Sequence, residues 1–288
     1  MSKRLAAVLL SAATAFGAVF AASGAEGTVA HRGVCGSGNW SRNVEVVGLT
    51  SDQRLICFRA DRPGRARDIA PLSGLVDDTR LVGIDVRPAN GQLYGLGDQG
   101  GIYTVDVSIA AANRVARASV ALQGTSFGVD FNPVADRMRV ISDAGQNLRI
   151  NVADGVTASD TGLTYPPATT PATGVTGAMY TNNDADPATG TTLFDVDSML
   201  DQIAIQSPPN AGSLVPTGKL GVDTGADVAA DIFSKVRRGT TVANTAYAAL
   251  STPDGSSFHY VDLLTGRATA TGTFSYGNQV VGIAIPLG

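Results

Sequence analysis

Glutamate is almost missing from this chain. Glu26 and Glu45 are the only two, and the other 23 of the 25 acidic residues are aspartate. Most of those aspartates stand beside Gly, Asn, Pro or Ser, where a short carboxylate satisfies turn backbone, so few windows favour a helix. Histidine is as scarce: with only His31 and His259, a histidine zinc site or a Ser-His-Asp triad has little to be built from. No basic stripe exists either. The 21 Lys and Arg are scattered among 25 acids for a net charge of −4, which argues against a nucleic-acid partner for want of clustered cations to meet phosphates. Glycine pairs such as Gly95 and Gly97 stand between strand-like runs rather than opening a helix, so nucleotide binding is disfavoured.

What is present suits a folded β protein. Of 288 residues 44% are hydrophobic and 16% charged, ample for a core and no basis for wholesale disorder. The first residues read as an export signal: Lys3-Arg4, a small-apolar stretch over 5–22, then Ser23-Gly24-Ala25, with cleavage expected after Ala25. An uncleaved anchor is disfavoured because the stretch is Ala- and Gly-rich and barely membrane length. A lipoprotein is disfavoured because Cys35 follows Arg-Gly-Val. The expected mature chain is secreted or periplasmic and has no membrane span. In an oxidising compartment Cys35 and Cys57 are expected to pair, tying an arm over 26–43 that holds Trp40 to the first β unit. The closed loop of roughly 20 residues would contribute about 3 kcal/mol. The competing reading makes Cys57 a small buried apolar residue.

The chain is built from a repeat. Val82, Ile84 and Val86 alternate with Gly83, Asp85 and Arg87, the period of two of a pleated strand. Pro88 and Asn90-Gly91 then reverse the chain into Gln92–Gly97, and Asp98-Gln-Gly-Gly101 reverses it again. Residues 127–133 match 82–88, with 45 positions separating Asp130 from Asp85. Further units run over 175–220 and 227–275. Residues 280–285 resemble a first strand with nothing after it, while 45–72 resemble strands two to four with nothing before them. Joined, the two ends make a fifth unit. Spacings of 45 to 53 residues belong to radial β repeats, which remove exposed edges by closing.

The expected fold is therefore all-β: a five-bladed β-propeller of four-stranded antiparallel blades, closed by the C-terminal strand joining the N-terminal blade. The blades are placed at 44–75 plus 279–286, 81–123, 126–163, 175–220 and 227–275, in one domain over 44–288. Two β-sandwiches form the rival fold, which leaves the orphan C-terminal strand unexplained. Residues 165–174 and 182–191 are expected to be loops.

The motifs LVGIDVRPANGQLYGL (81–96) and FGVDFNPVADRMRVISDAGQNLRIN (127–151) resemble the signature of a family of exported bacterial proteins of unknown function. The resemblance covers most of the chain from about Glu45 onward. It implies a propeller-like repeat and no assigned activity, so it transfers no catalytic residue.

Candidate chemistry lies where the first strands meet. The equivalent position on the five holds Asp85, Asp130, Met179, Asp231 and Ala284. Three carboxylates near a propeller axis can make a cation site, with calcium the candidate, or acid/base carboxylates; Asp85, Asp130 and Asp231 are thus the candidate metal ligands and the candidate catalytic residues. The structural reading is favoured: such an Asp takes backbone N–H groups and fixes blade to blade, with Arg87 and Asn132 as local partners. Some five-bladed propellers are glycosidases, a comparison resting on fold alone. Against it stand the lack of glutamate beyond Glu45 and the few aromatics placed for a sugar, since Tyr180, Tyr247, Tyr260 and Tyr276 read as blade packing. The oxygen-rich run from Asn182 to Asp186 reads as a solvated turn ahead of a calcium loop. The expected function is an exported, monomeric binding module for an unknown ligand at the channel mouth. The alternatives are a carboxylate- or calcium-dependent hydrolase of carbohydrates or esters, and a structural envelope or matrix component.

Overall fold

Short runs rich in Val, Ile, Leu, Tyr and Phe, broken by Gly, Pro, Asn and Asp, form strands in sets of four. The computed structural model describes residues 44–287, apart from 185, 254 and 276–278. The described residues begin with β1 (Glu45–Thr50), β2 (Arg54–Arg59) and β3 (Arg62–Pro71). A blade follows of β4 (Leu81–Val86), β5 (Leu93–Gly97), β6 (Gly101–Asp106) and β7 (Ala111–Arg117). The third holds β8 (Phe127–Asn132), β9 (Arg137–Ser142), β10 (Asn147–Ile150) and β11 (Thr157–Ser159). The fourth holds β12 (Val175–Tyr180), β13 (Leu193–Asp197), β14 (Gln202–Gln206) and β15 (Leu214–Lys219). In the fifth, β16 (Val228–Arg237), β17 (Thr240–Thr252), β18 (Gly255–Val261) and β19 (Ala268–Thr273) precede β20 (Val280–Ala284).

β20 completes the first sheet, whose order is β20-β1-β2-β3, all antiparallel. Gly48 stands opposite Ile283 and Leu49 opposite Gly282 in that closing pair. β4, β8, β12, β16 and β20 are the innermost strands, each packed on the next, with β20 returning to β4. The five-bladed propeller expected from the repeat is the fold.

The core lies between blades. Tyr94, Phe131, Met138, Val140 and Leu148 fill the gap between the second and third, while Phe58, Phe258 and Phe274 fill the gap between fifth and first. The Phe58 and Phe258 rings meet edge to face at 5.0 Å, and Tyr247 stacks on Phe258 at 5.5 Å, so Tyr247 packs blades as expected. Burial on both faces explains why β5 and β13 are buried at every position, a pattern that half-buried strands do not show.

Two elements differ in length from their counterparts in the other blades. β11 is three residues long, because the chain beyond it peels away to the next blade: the Thr161 N–H donates to Asn210 and Leu163 enters the core between third and fourth blades. The hairpin of β16 and β17 is longer than its counterparts, turning at Arg238-Gly239 with φ of 54° and 79°, the twist-matched geometry of a two-residue reversal.

Backbone meets backbone along the axis. A Cβ on Gly128 would stand 2.6 Å from the Ala178 nitrogen, and one on Gly282 would stand 3.6 Å from the Ile84 nitrogen and 3.2 Å from its side chain. Gly83, Gly128, Gly177 and Gly282 therefore let five inner strands close tightly around a narrow centre.

Candidate functional site

Two positions beyond each ring glycine on β4 and β8 comes an aspartate, which alternation turns to the same side of its strand. Asp85 and Asp130 are joined by Asp231 on β16, and one carboxylate oxygen from each lies within 4.8 Å of the other two. All three are buried, at 6%, 2% and 3% exposure. The sequence placed these residues together, and the fold brings them together. Met179 and Ala284, at the two remaining positions, are fully buried and uncharged.

The hydrogen bonds follow one rule. Asp85 accepts the Phe131 N–H at 2.7 Å, Asp130 accepts the Tyr180 N–H, and Asp231 accepts the Ile285 N–H at 2.6 Å. Each donor is the residue after the matching position on the next inner strand, so every carboxylate stitches its blade to the following one. Asp85 and Asp231 also accept the N–H of their own next residues, Val86 at 2.6 Å and Ile232 at 2.5 Å. The expected side-chain partners are elsewhere. Arg87 pairs with Asp136 on the third blade at 2.7 Å, and Asn132 accepts the N–H groups of Val134 and Ala135. Both reach outward past the strand end, where the turn, not the axis, offers partners.

The electrostatics are one-sided. Burial, then repulsion from Asp231, pushes the Asp85 carboxyl well above the usual range; burial, then Asp85 and Asp231, does the same to Asp130. Burial pushes Asp231 up to about 7 against the pull of its two amides. Among the described residues the only cationic side chains on the inner strands are Lys235 and Arg237, on the extended end of β16.

A small depression of about 120 Å³ opens at the start of the inner strands, bordered by Ser51, Gln53, Arg80, Thr125, Ser126 and Asp227. The three aspartates do not line it. Between it and them lies the glycine ring, so a substrate reaching the carboxylates would require the inner strands to part.

A second polar cluster between third and fourth blades was not foreseen. Arg139, 1% exposed, donates to Asn147 at 2.7 Å, Asp160 at 2.8 Å, Asn210 at 2.8 Å and Tyr180 at 3.2 Å. Asp195 on β13 is 0% exposed, and neither of its oxygens has a hydrogen-bond partner among the described residues. Burial raises its pKa well above the usual carboxylate range, Arg139 opposing. Alternating Asp195 and Asp197 signal a solvent face in an ordinary sheet; only the covered faces of a blade reverse that reading. In the loop over 182–191, Asp184 accepts the Thr241 N–H on β17 of the next blade at 2.6 Å, while Asp186 accepts that of Ala188 at 2.9 Å, as turn-holding side chains do. Cys57 is buried in β2; its expected partner Cys35, like the export signal, lies outside the described residues. No helix among the described residues is long and apolar enough to cross a membrane.

Fold and axis together define a closed five-bladed β-propeller with a carboxylate-stitched centre. Residues 54–284 match the family described as Domain of unknown function (DUF4394), and the chain belongs to it. No curated protein matches. Among solved structures, an auxiliary nutrient binding protein from Bacteroides thetaiotaomicron is 11% identical over 83% of this chain, with a TM-score of 0.46. A structural genomics protein of unknown function from the same organism is 11% identical over 86% of this chain and 68% of its own, with a TM-score of 0.44. YCF48 bound to D1 peptide is 9% identical over 77% of this chain, with a TM-score of 0.38. The chain spans 63% of the length of the first and of YCF48, less than two thirds. None of these likenesses bears on a ligand or partner of this chain.

Proposed function

We propose that the chain is an exported binding module that takes a small polar ligand at the mouth of its axial channel. The observation that supports this is the dead-end depression between Arg80 on one blade and Asp227 on another, floored by closely packed inner strands. A cationic and an anionic side chain flanking a cup of this size suit a small molecule carrying groups of both signs. Rigid blades hold the loops that present them, the arrangement in which loops carry recognition. Catalysis by the buried aspartates finds no support in their 2–6% exposure.

The test is a thermal-shift screen of small amino acids, organic acids and sugars on the mature protein, repeated with Arg80→Ala and Asp227→Asn. A compound that raises Tm in the parent and loses at least tenfold in affinity in either variant supports the reading. Compounds binding parent and variants equally would move the site elsewhere. Export is tested by the N-terminal sequence of the protein recovered from outside the cytoplasm, expected to begin at Glu26. The Cys35 to Cys57 bridge is tested by thiol labelling of the unfolded chain, with no label expected before reduction.

A further inference from the structure

The axis carries more negative charge than its surroundings can hold. Three carboxylates share a space 4.8 Å across, Arg139, which stands opposite Asp130 across β8 and β9, spends its guanidinium on four other groups, and burial removes the water that would screen them. Backbone N–H groups stabilise the ionised forms but carry no net charge.

Beyond these three stands a fourth acid that lies outside the Proposed function. Asp195 pairs across β13 with Ala178 on one side and Ala204 on the other. Both are small, and both belong with Ile141 and Tyr180 to the core facing the third blade. That is the face to which Asp130 turns when it accepts the Tyr180 N–H, and the Asp195 charge is felt at Asp130. Asp195 is fully buried with two unpartnered oxygens. An acceptor-only group so placed needs something that donates or is positive. Arg139 eases the Asp195 charge through space but donates no hydrogen bond to it, its guanidinium being committed to Asn147, Asp160, Asn210 and Tyr180.

We infer that Asp85, Asp130 and Asp231, with Asp195 as the outer acid beside Asp130, form a buried site for a hard divalent cation of the calcium class. Oxygens on opposite sides of an ion held at about 2.3–2.6 Å stand roughly 5 Å apart, so one oxygen from each axial carboxylate fits a single ion at the spacing observed. The oxygens of Asp195, outside the 4.8 Å group of the axial three, remain to take an ion-bound water. The ion replaces repulsion between three blades with a common partner, and it enters as the chain folds, because the closed ring leaves no route afterwards.

The experiment unfolds the full chain in denaturant, refolds it with calcium, with magnesium or with chelator, and removes free metal. Elemental analysis is expected to find about one calcium or magnesium per chain in the metal-refolded protein. With the metal at a hundred times its dissociation constant, the folded-to-unfolded ratio should rise about a hundredfold. Asp195→Asn removes no hydrogen bond; with its fold checked by circular dichroism, it should weaken the ion at least tenfold. A protein that retains no ion and melts identically after all three treatments overturns the site. An ion bound with unchanged affinity in Asp195→Asn overturns the inclusion of the fourth acid.

Discussion

The Asp231 carboxylate on β16 accepts the N–H of Ile285, immediately past β20, at 2.6 Å. The fifth blade is thereby bonded to the strand that completes the first, so one buried side chain joins the β20–β1 ladder and the Phe58–Phe258 core in closing the ring.

Replacing Asp231 by Ala leaves the Ile232 and Ile285 N–H groups buried without an acceptor. At about 1–3 kcal/mol for each, the loss expected in urea unfolding is about 2–6 kcal/mol. Asp231→Asn keeps one acceptor and removes repulsion from Asp85, so it should lose at least about 1 kcal/mol less than Ala. Equal stability of the two variants would show that the amides are not held by this side chain.

Gly128→Ala places a methyl group 2.6 Å from the Ala178 nitrogen and 2.7 Å from the Gly177 carbonyl carbon. Backbone on an adjoining blade has no rotamer to change, so overpacking of about 1–3 kcal/mol is expected, read as a fall of several degrees in Tm. An unchanged Tm would mean that the inner strands separate more easily than their packing implies.

Arg139→Lys keeps the charge and loses the planar fork that reaches Asn147, Asp160 and Asn210 together. Breaking a buried, multiply bonded cation, as in Arg139→Met, is expected to cost about 3–5 kcal/mol, and Arg139→Lys should recover little of that loss. Chemical denaturation decides it: a Lys variant within about 1 kcal/mol of the parent would mean that charge alone suffices.

His259 contributes to the acid limb with a sign opposite to that of the raised axial carboxyls. The ring is 3% exposed and its Nδ1 has no hydrogen-bond partner among the described residues; burial lowers its pKa, a bond to the Ser257 backbone opposing. Above about pH 6.5, the ordinary imidazole value, the ring is neutral in both states and contributes nothing. As pH falls below it, the unfolded chain takes a proton that the folded ring resists, so folding weakens. Melts from pH 7.5 to 5 should show the parent losing Tm faster than His259→Gln, and parallel curves would remove His259 from the acid response.

The repeat was legible because its strands follow local rules. Alternation around Asp85, the Asn90-Gly91 turn and the 45-residue return to Asp130 are properties of neighbouring residues. The unpaired strand at 280–285 then implied its partner at 45–50. The axial trio was legible for the same reason: equal positions in equal units must meet around an axis. Their true partners were not, because the backbone N–H of Phe131, Tyr180 or Ile285 carries no mark of its destination. Arg139 and Asp195 were missed because alternation of polar residues is read as a wet face unless both faces are known to be covered.

The sequence by itself therefore determined the strands, their number per unit, the units and the circular closure, since hydrophobic period and turn chemistry act over a few residues. Tertiary structure decided which polar groups lose water, and with them the raised carboxyls at the axis, the orphaned oxygens of Asp195 and the place left for a ligand. Burial depends on what the neighbouring blade brings, and that blade stands some 45 residues away in the chain.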